Sequence, residues 1–147
     1  MDVEAASTSY AHRADVARLT HQVQSALVGE LDEALAPFGL SAAQYAILST
    51  LASGRLETAS QICKEISYTP GAMTRMIHRL EEKRLLVRSE CPDNRRKNKL
   101  ELTETGRSTY PTMQAAASRA IDRYLGSFDP AELYQLESML HRMKPRN

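Results

Sequence analysis

Two helix-start signals stand at Thr58 and Thr69, and their closeness constrains the fold of this chain more than any other feature. Thr58-Ala59-Ser60-Gln61 is a capping box: the threonine oxygen can accept from the third helical N–H while Gln61 reaches back to the cap. Thr69-Pro70 is a second start, with threonine suited to the cap and proline to the first helical position, where its missing N–H has no partner to lose. The first helix therefore has room for only about two turns. It offers Ile62, Cys63 and Ile66 for burial before Ser67-Tyr68 breaks the pattern. The second buries Met73, Met76, Ile77 and Leu80 and runs to about Arg84. A short helix, a tight turn and a longer helix make a helix-turn-helix.

Beyond Arg84 the hydrophobic period falls to two. Leu86 to Glu90 reads as a strand, and Leu100-Glu101-Leu102 alternates cleanly as its partner. Between them, Pro92-Asp93-Asn94 favours a turn and Arg95-Arg96-Lys97 is strongly basic. With no Asn-Gly or Asp-Gly pair, the tip of this hairpin is expected to be longer than two residues.

Amphipathic helices flank this centre. Ala11 to Phe38 carries Val16, Leu19, Val23, Leu27, Leu31, Leu35 and Phe38 at steps of three and four, and Pro37 and Gly39 stop it. Ser41 and Gln44 form a capping box for a shorter helix with Tyr45, Ile47, Leu48 and Leu51, ending near Ser53-Gly54. Thr103 can cap a helix to about Gly126, striped by Tyr110, Met113, Ala117, Ala120, Ile121, Tyr124 and Phe128. Pro111 predicts a kink or a late start there. Asp129-Pro130-Ala131-Glu132 opens a last helix expected to bury Leu133, Leu136, Leu140 and Met143. The fold class is thus mainly α with one small β-hairpin.

The net charge of +1 conceals an asymmetry. Thr69 to Lys99 holds nine Lys/Arg against four acids, and the remainder holds ten against fourteen. A basic centre between neutral-to-acidic arms suits a polyanion. Arg75 can meet a guanine edge in bidentate fashion. Thr69, Gly71, Thr74, Arg75, His78 and Arg79 face away from the apolar stripe of the second helix, with small residues at its start allowing close approach to a groove. Arg95, Arg96 and Lys97 at the hairpin tip suit phosphate or minor-groove contact.

Other classes find little support. No Ser/His/Asp order, phosphate-cradling glycine loop or metal-ligand spacing is present, so no catalytic residue, metal or cofactor is expected. No apolar run reaches the roughly 18 residues of a membrane span. Met1 to Ser9 lacks the basic-then-apolar pattern of a secretory leader, and Cys63 and Cys91 make no disulfide framework. A cytoplasmic protein is expected.

Ala59-Ser60-Gln61-Ile62, Thr69-Pro70-Gly71-Ala72-Met73-Thr74-Arg75-Met76-Ile77-His78-Arg79-Leu80-Glu81-Glu82-Lys83, Asp93-Asn94-Arg95-Arg96 and Leu102-Thr103-Glu104-Thr105-Gly106 together resemble the MarR family of bacterial regulators. The most specific part is the basic wing, with five residues separating Arg96 from Leu102-Thr103. The resemblance implies a single domain over residues 1–147: a winged helix-turn-helix lobe at 41–103, with dimerisation helices at 10–38 and 104–147. It implies a homodimer on a pseudopalindromic duplex operator, acting as a repressor relieved by a small aromatic or phenolic acid. It makes Arg96 the wing-tip arginine, with the usual acidic position falling on Asn94 and Asp93 one place earlier. It also puts Arg84 where relatives tend to have glycine. Arg18, His21 and Tyr45 are the expected effector contacts, supplying charge, a titratable ring and a stacking or hydroxyl group.

Two alternatives stand beside this. Some relatives sense oxidants through a thiol; Cys63, beside Ile62, reads as a small buried hydrophobe, whereas Cys91 lies near Arg88 and Arg95, which favour a thiolate. A winged-helix module that binds protein would not need Thr74, Arg75 and Arg79 facing out beside a basic wing.

Overall fold

Every helix after the first begins at a side-chain cap that the sequence advertises. The computed structural model describes residues 3–90 and 98–145. Helix α1 spans Val3–Leu35, begins earlier than the apolar stripe alone suggests, and runs into a single 3-10 turn, Ala36–Phe38, closed by Gly39 at φ 66°. α2 (Ala42–Ala52) starts at the Ser41–Gln44 capping box. Asp32 of α1 adds a second acceptor, taking a 2.6 Å hydrogen bond from the Ala42 N–H, where a carboxylate also complements the helix dipole. The chain turns through 79° at this corner.

α3 (Ala59–Glu65) and α4 (Pro70–Glu82) form the helix-turn-helix. Thr58 and Gln61 complete the first box, and Thr69 accepts from the Ala72 N–H at 3.3 Å to start the second helix. Between them Ser67 takes φ 57°, and the Tyr68 N–H donates back to the Cys63 carbonyl. β1 (Leu86–Glu90) then pairs antiparallel with β2 (Asn98–Leu102), Leu86 opposite Leu102 and Arg88 opposite Leu100. A bridge between Thr58 and Lys99, with the Leu100 N–H on the Glu57 carbonyl at 2.7 Å, ties the hairpin to the start of α3. α5 (Glu104–Leu125) and α6 (Pro130–Met143) complete the chain. No single helix among the described residues is both long and apolar enough to cross a membrane.

One core joins these elements. Leu35 and Leu40, Ile47 and Leu48, Ile62, then Met73, Ile77 and Leu80, are buried with Leu85, Leu86, Leu100, Met113 and Ala117. α1 lies chiefly along α5. Two expectations are corrected. Of the kink or late start expected at Pro111, the late start is overturned: α5 runs through the proline from Glu104. The proline withholds a donor from the Arg107 carbonyl, but both residues are exposed, so water can serve that oxygen. Nor does α6 bury its stripe: Leu133 and Leu136 are half-buried, while Leu140 is 48% and Met143 54% exposed. The long arms present more apolar surface than the rest of one chain can cover. Val16, Leu19, Val23 and Phe128 are exposed as well.

The exit from α4 is the tightest joint. Arg84 takes φ 58°, its N–H on the Glu81 carbonyl at 2.8 Å, and the Leu85 N–H returns to the Leu80 carbonyl at 3.0 Å. This is a Schellman stop with arginine where glycine is favoured. The Thr103 hydroxyl donates to the Arg84 carbonyl at 2.6 Å and accepts from the Gly106 N–H at 2.9 Å. The Thr103 N–H meets the Leu85 carbonyl at 3.1 Å. Gly106 packs so closely that a Cβ there would strike that same carbonyl oxygen.

A left-handed arginine costs about 1–2 kcal/mol relative to glycine, partly offset because glycine loses more freedom on folding. Arg84→Gly should therefore stabilise the protein by about 0.5–1 kcal/mol. Thermal unfolding should show the gain as a midpoint raised by about 2 °C; an unchanged or lowered midpoint would remove strain from this joint.

Candidate nucleic-acid interface

The geometry of α4 separates its residues cleanly. Met73, Ile77 and Leu80 are buried, whereas Gly71, Thr74, Arg75, His78 and Arg79 are all exposed, as their spacing predicts. Arg75 and Arg79 stand one turn apart on that face. Among the described residues no carboxylate pairs with either. Each guanidinium offers a planar fork of donors on this face.

Neighbouring side chains are more constrained. The Thr74 hydroxyl donates to the Pro70 carbonyl at 2.9 Å, so it presents a lone pair and a methyl group outward rather than a proton. Thr69 spends its oxygen on the cap of α4. His78 lies between two carboxylates, its Nε2 3.3 Å from Glu82 and its Nδ1 4.0 Å from Glu81. Arg95, Arg96 and Lys97, the expected tip contacts, fall outside the described residues, as does Cys91.

Not all of the basic stretch is free. Arg88 on β1 is held by Glu81 at 2.8 Å, and Lys99 on β2 by Glu101 at 3.2 Å and Glu57 at 3.7 Å. The hydrogen bond that Lys99 donates to Glu101, and then the charge of Glu57, raise the affinity of Lys99 for its proton. These two cations organise the hairpin. Periodicity did not reveal the Glu81–Arg88 pair, because its members lie on a helix and a strand joined by a reversal.

A cavity of about 400 Å³ opens between α3, α4 and the hairpin, with Cys63, Lys64, Thr74 and Arg88 in its wall. Cys63 is half-buried rather than fully enclosed, and its thiol donates to the Tyr68 carbonyl at 2.9 Å. The three expected effector contacts lie on two helices, Arg18 and His21 on α1 and Tyr45 on α2. Arg18 and His21 are exposed on α1, with Arg18 held by Asp15 at 3.0 Å and Gln22 at 3.1 Å. Tyr45 is half-buried on α2 and stacks on Tyr110 of α5, the ring centres 6.0 Å apart and the planes within 8°. Burial, then the Tyr110 hydroxyl, push the Tyr45 phenol above its ordinary range, keeping it a neutral donor. Tyr110, which donates to the Ser49 hydroxyl at 3.2 Å, is an aromatic partner that its place in a core stripe concealed.

A helix-turn-helix whose second helix shows one open basic face, followed by a β-hairpin packed on the same core, defines a winged helix-turn-helix protein. Residues 40–97 match the model of the MarR family. The HTH-type transcriptional repressor MdtR of Bacillus subtilis is 29% identical over 72% of this chain and 68% of its own length. Wild-type MarR from E. coli in its apo form is 26% identical with a TM-score of 0.72, covering 88% of this chain and 96% of that one. A MarR-family regulator from a Rhodococcus species is 26% identical with a TM-score of 0.79, over 89% and 93% of the two chains. A mutant of E. coli MarR complexed with operator DNA superposes with a TM-score of 0.81 over 99% of this chain and the whole of that one; at 24% identity it speaks to the fold. The chain is thus similar to the MarR family across its winged lobe, and the relatives that it matches are named as transcriptional regulators or repressors.

Gly71 tests how closely this face is approached. A Cβ there would meet nothing within 4 Å inside the protein. Gly71→Ala should leave the fold intact and stabilise α4 by up to about 1 kcal/mol. If the start of α4 lies against a DNA groove, the added methyl lowers duplex affinity severalfold in a fluorescence-anisotropy titration. Unchanged affinity would place Gly71 away from the contact.

Proposed function

We propose that this protein is a homodimeric transcription repressor that binds duplex DNA through α4 and the hairpin. The observation that carries this reading is the exposed α4 face, where Arg75 and Arg79 stand without acidic partners among the described residues beside Gly71, Thr74 and His78. Arg75 reads a base edge, Arg79 meets a phosphate, Thr69 donates to another the hydroxyl proton that its cap does not use, and Arg95, Arg96 and Lys97 extend the contact at the hairpin tip. The repressor names of curated relatives and the operator complex of a structural neighbour support it.

The test is a titration of the protein onto its own upstream intergenic DNA across a range of salt, with footprinting. A dimer reading adjacent major grooves protects a pseudopalindrome with two centres about 10 base pairs apart, and its affinity falls steeply with salt. Arg75→Ala should weaken specific binding by about 10- to 100-fold, equivalent to about 1–3 kcal/mol, with an unaltered circular-dichroism spectrum. Binding with no preferred site and no effect of Arg75→Ala would favour a protein partner instead.

Pairing of two copies follows from the uncovered arms. Leu125, Leu133, Leu136, Leu140 and Met143 line an open apolar groove of about 660 Å³ with Thr20 of α1 at its edge. A stable pair must bury upwards of about 1,000 Å² of this kind of surface. Leu140→Asp should shift the mass measured by light scattering from two copies towards one and abolish half-site cooperativity on DNA. A dimer surviving that change would move the interface elsewhere.

Relief by a small aromatic or phenolic acid is the accompanying reading, with Arg18, His21 and Tyr45 as contacts. The neutral phenol of Tyr45, stacked on Tyr110, is suited to donate to a carboxylate. Aromatic carboxylates added to the same titration should lower affinity for the operator.

A further inference from the structure

We infer that Glu81 is a positioning residue: it clamps the hairpin to the recognition helix, so that both reach the duplex in one fixed arrangement. The inference rests on the DNA-binding reading above. Glu81 lies in the last turn of α4, and its Oε1 is 2.8 Å from the Nε of Arg88 on β1. Among the described residues this is the sole ion pair joining α4 to the hairpin.

Its place along the strand explains why it is needed. Side chains alternate across a strand, so Leu86 and Arg88 share the inner face while Val87 points outward, where it is 46% exposed. Leu86 on β1 and Leu100 on β2, the residue opposite Arg88, are buried and fix the base of the hairpin by packing. On β1, Arg88 takes the inward position after Leu86, so this strand offers a charged rather than an apolar side chain opposite the buried Leu100. At this level β2 is tied to the start of α3, while the carboxylate of Glu81 supplies the ion pair that ties β1 to α4. The pair is half-shielded, with side-chain exposures of 28% and 36%, unlike the open His78–Glu82 pair on the same helix.

The sign of the effect separates this role from simple electrostatics. A carboxylate on a helix that faces a polyanion opposes binding, so its removal should tighten the complex if charge alone matters. If Glu81 positions the hairpin, its removal loosens specific binding instead. A direct DNA contact by Arg88 also differs: Arg88→Gln would then weaken binding while Glu81→Gln strengthened it, whereas the clamp predicts that both weaken it.

The experiment measures operator and random-duplex affinity, together with hydroxyl-radical footprints, for the full-length protein and for Glu81→Gln, Arg88→Gln and the exchanged pair Glu81→Arg with Arg88→Glu. The clamp predicts about a five-fold loss of operator affinity in each single variant. Random-duplex affinity should be equal or higher in Glu81→Gln, and protection at the phosphates flanking the two groove centres should fade while the centres stay protected. The exchanged pair should regain flanking protection. Operator affinity that is unchanged or raised in Glu81→Gln, or an exchanged pair no better than the single variants, would overturn the clamp. Failure of the unaltered protein to select any site would instead overturn the DNA reading on which the clamp depends.

Discussion

The hydroxyl of Thr103 does two jobs within one residue's reach. It donates to the Arg84 carbonyl, at the very end of the recognition helix, and accepts from the Gly106 N–H, at the start of α5. Two helix ends with opposite needs, a surplus acceptor and a surplus donor, are satisfied by a single group. The Thr103 N–H on the Leu85 carbonyl and the close seat of Gly106 lock the same point from the other side. Every element of the proposed DNA interface passes through this joint. The recognition helix ends there, both strands of the hairpin have their base there, and the long arm α5 begins there.

The joint also explains why the fold can tolerate a left-handed arginine. Arg84 follows a buried Leu80 and precedes a buried Leu85, and the reversal between them is what folds β1 back onto α4. The backbone there is fixed by hydrogen bonds on three sides. A modest local cost is thereby absorbed by a cooperative structure, rather than relieved by a change of path.

Much of this was legible in the amino-acid order because it is local. Ser41, Thr58, Thr69, Thr103 and Asp129 are caps within three residues of their partners, and each starts a helix where its chemistry says it should. The inward and outward faces of α4 follow from the same periodicity. What escaped is long-range or context-dependent. The Glu81–Arg88 pair and the Tyr45–Tyr110 stack join residues on different elements, which no spacing rule connects. Pro111 did not delay α5 because the cost of a proline in a helix depends on whether the orphaned carbonyl is buried, and here Pro111 and Arg107 are both exposed. The stripe of α6 was read correctly as apolar, but burial within one chain did not follow from it.

That last helix has a consequence for the lifetime of the protein in a cell. α6 buries no side chain of its own, so an unaccompanied copy displays a row of leucine and methionine to its surroundings. Segments like this open readily and are what proteases and chaperones engage first. In the proposed pair the same row is shielded, and the pair outlasts the single copy. Turnover would then remove surplus subunits selectively and hold the pool to assembled regulators, a form of quality control that requires no dedicated degradation signal.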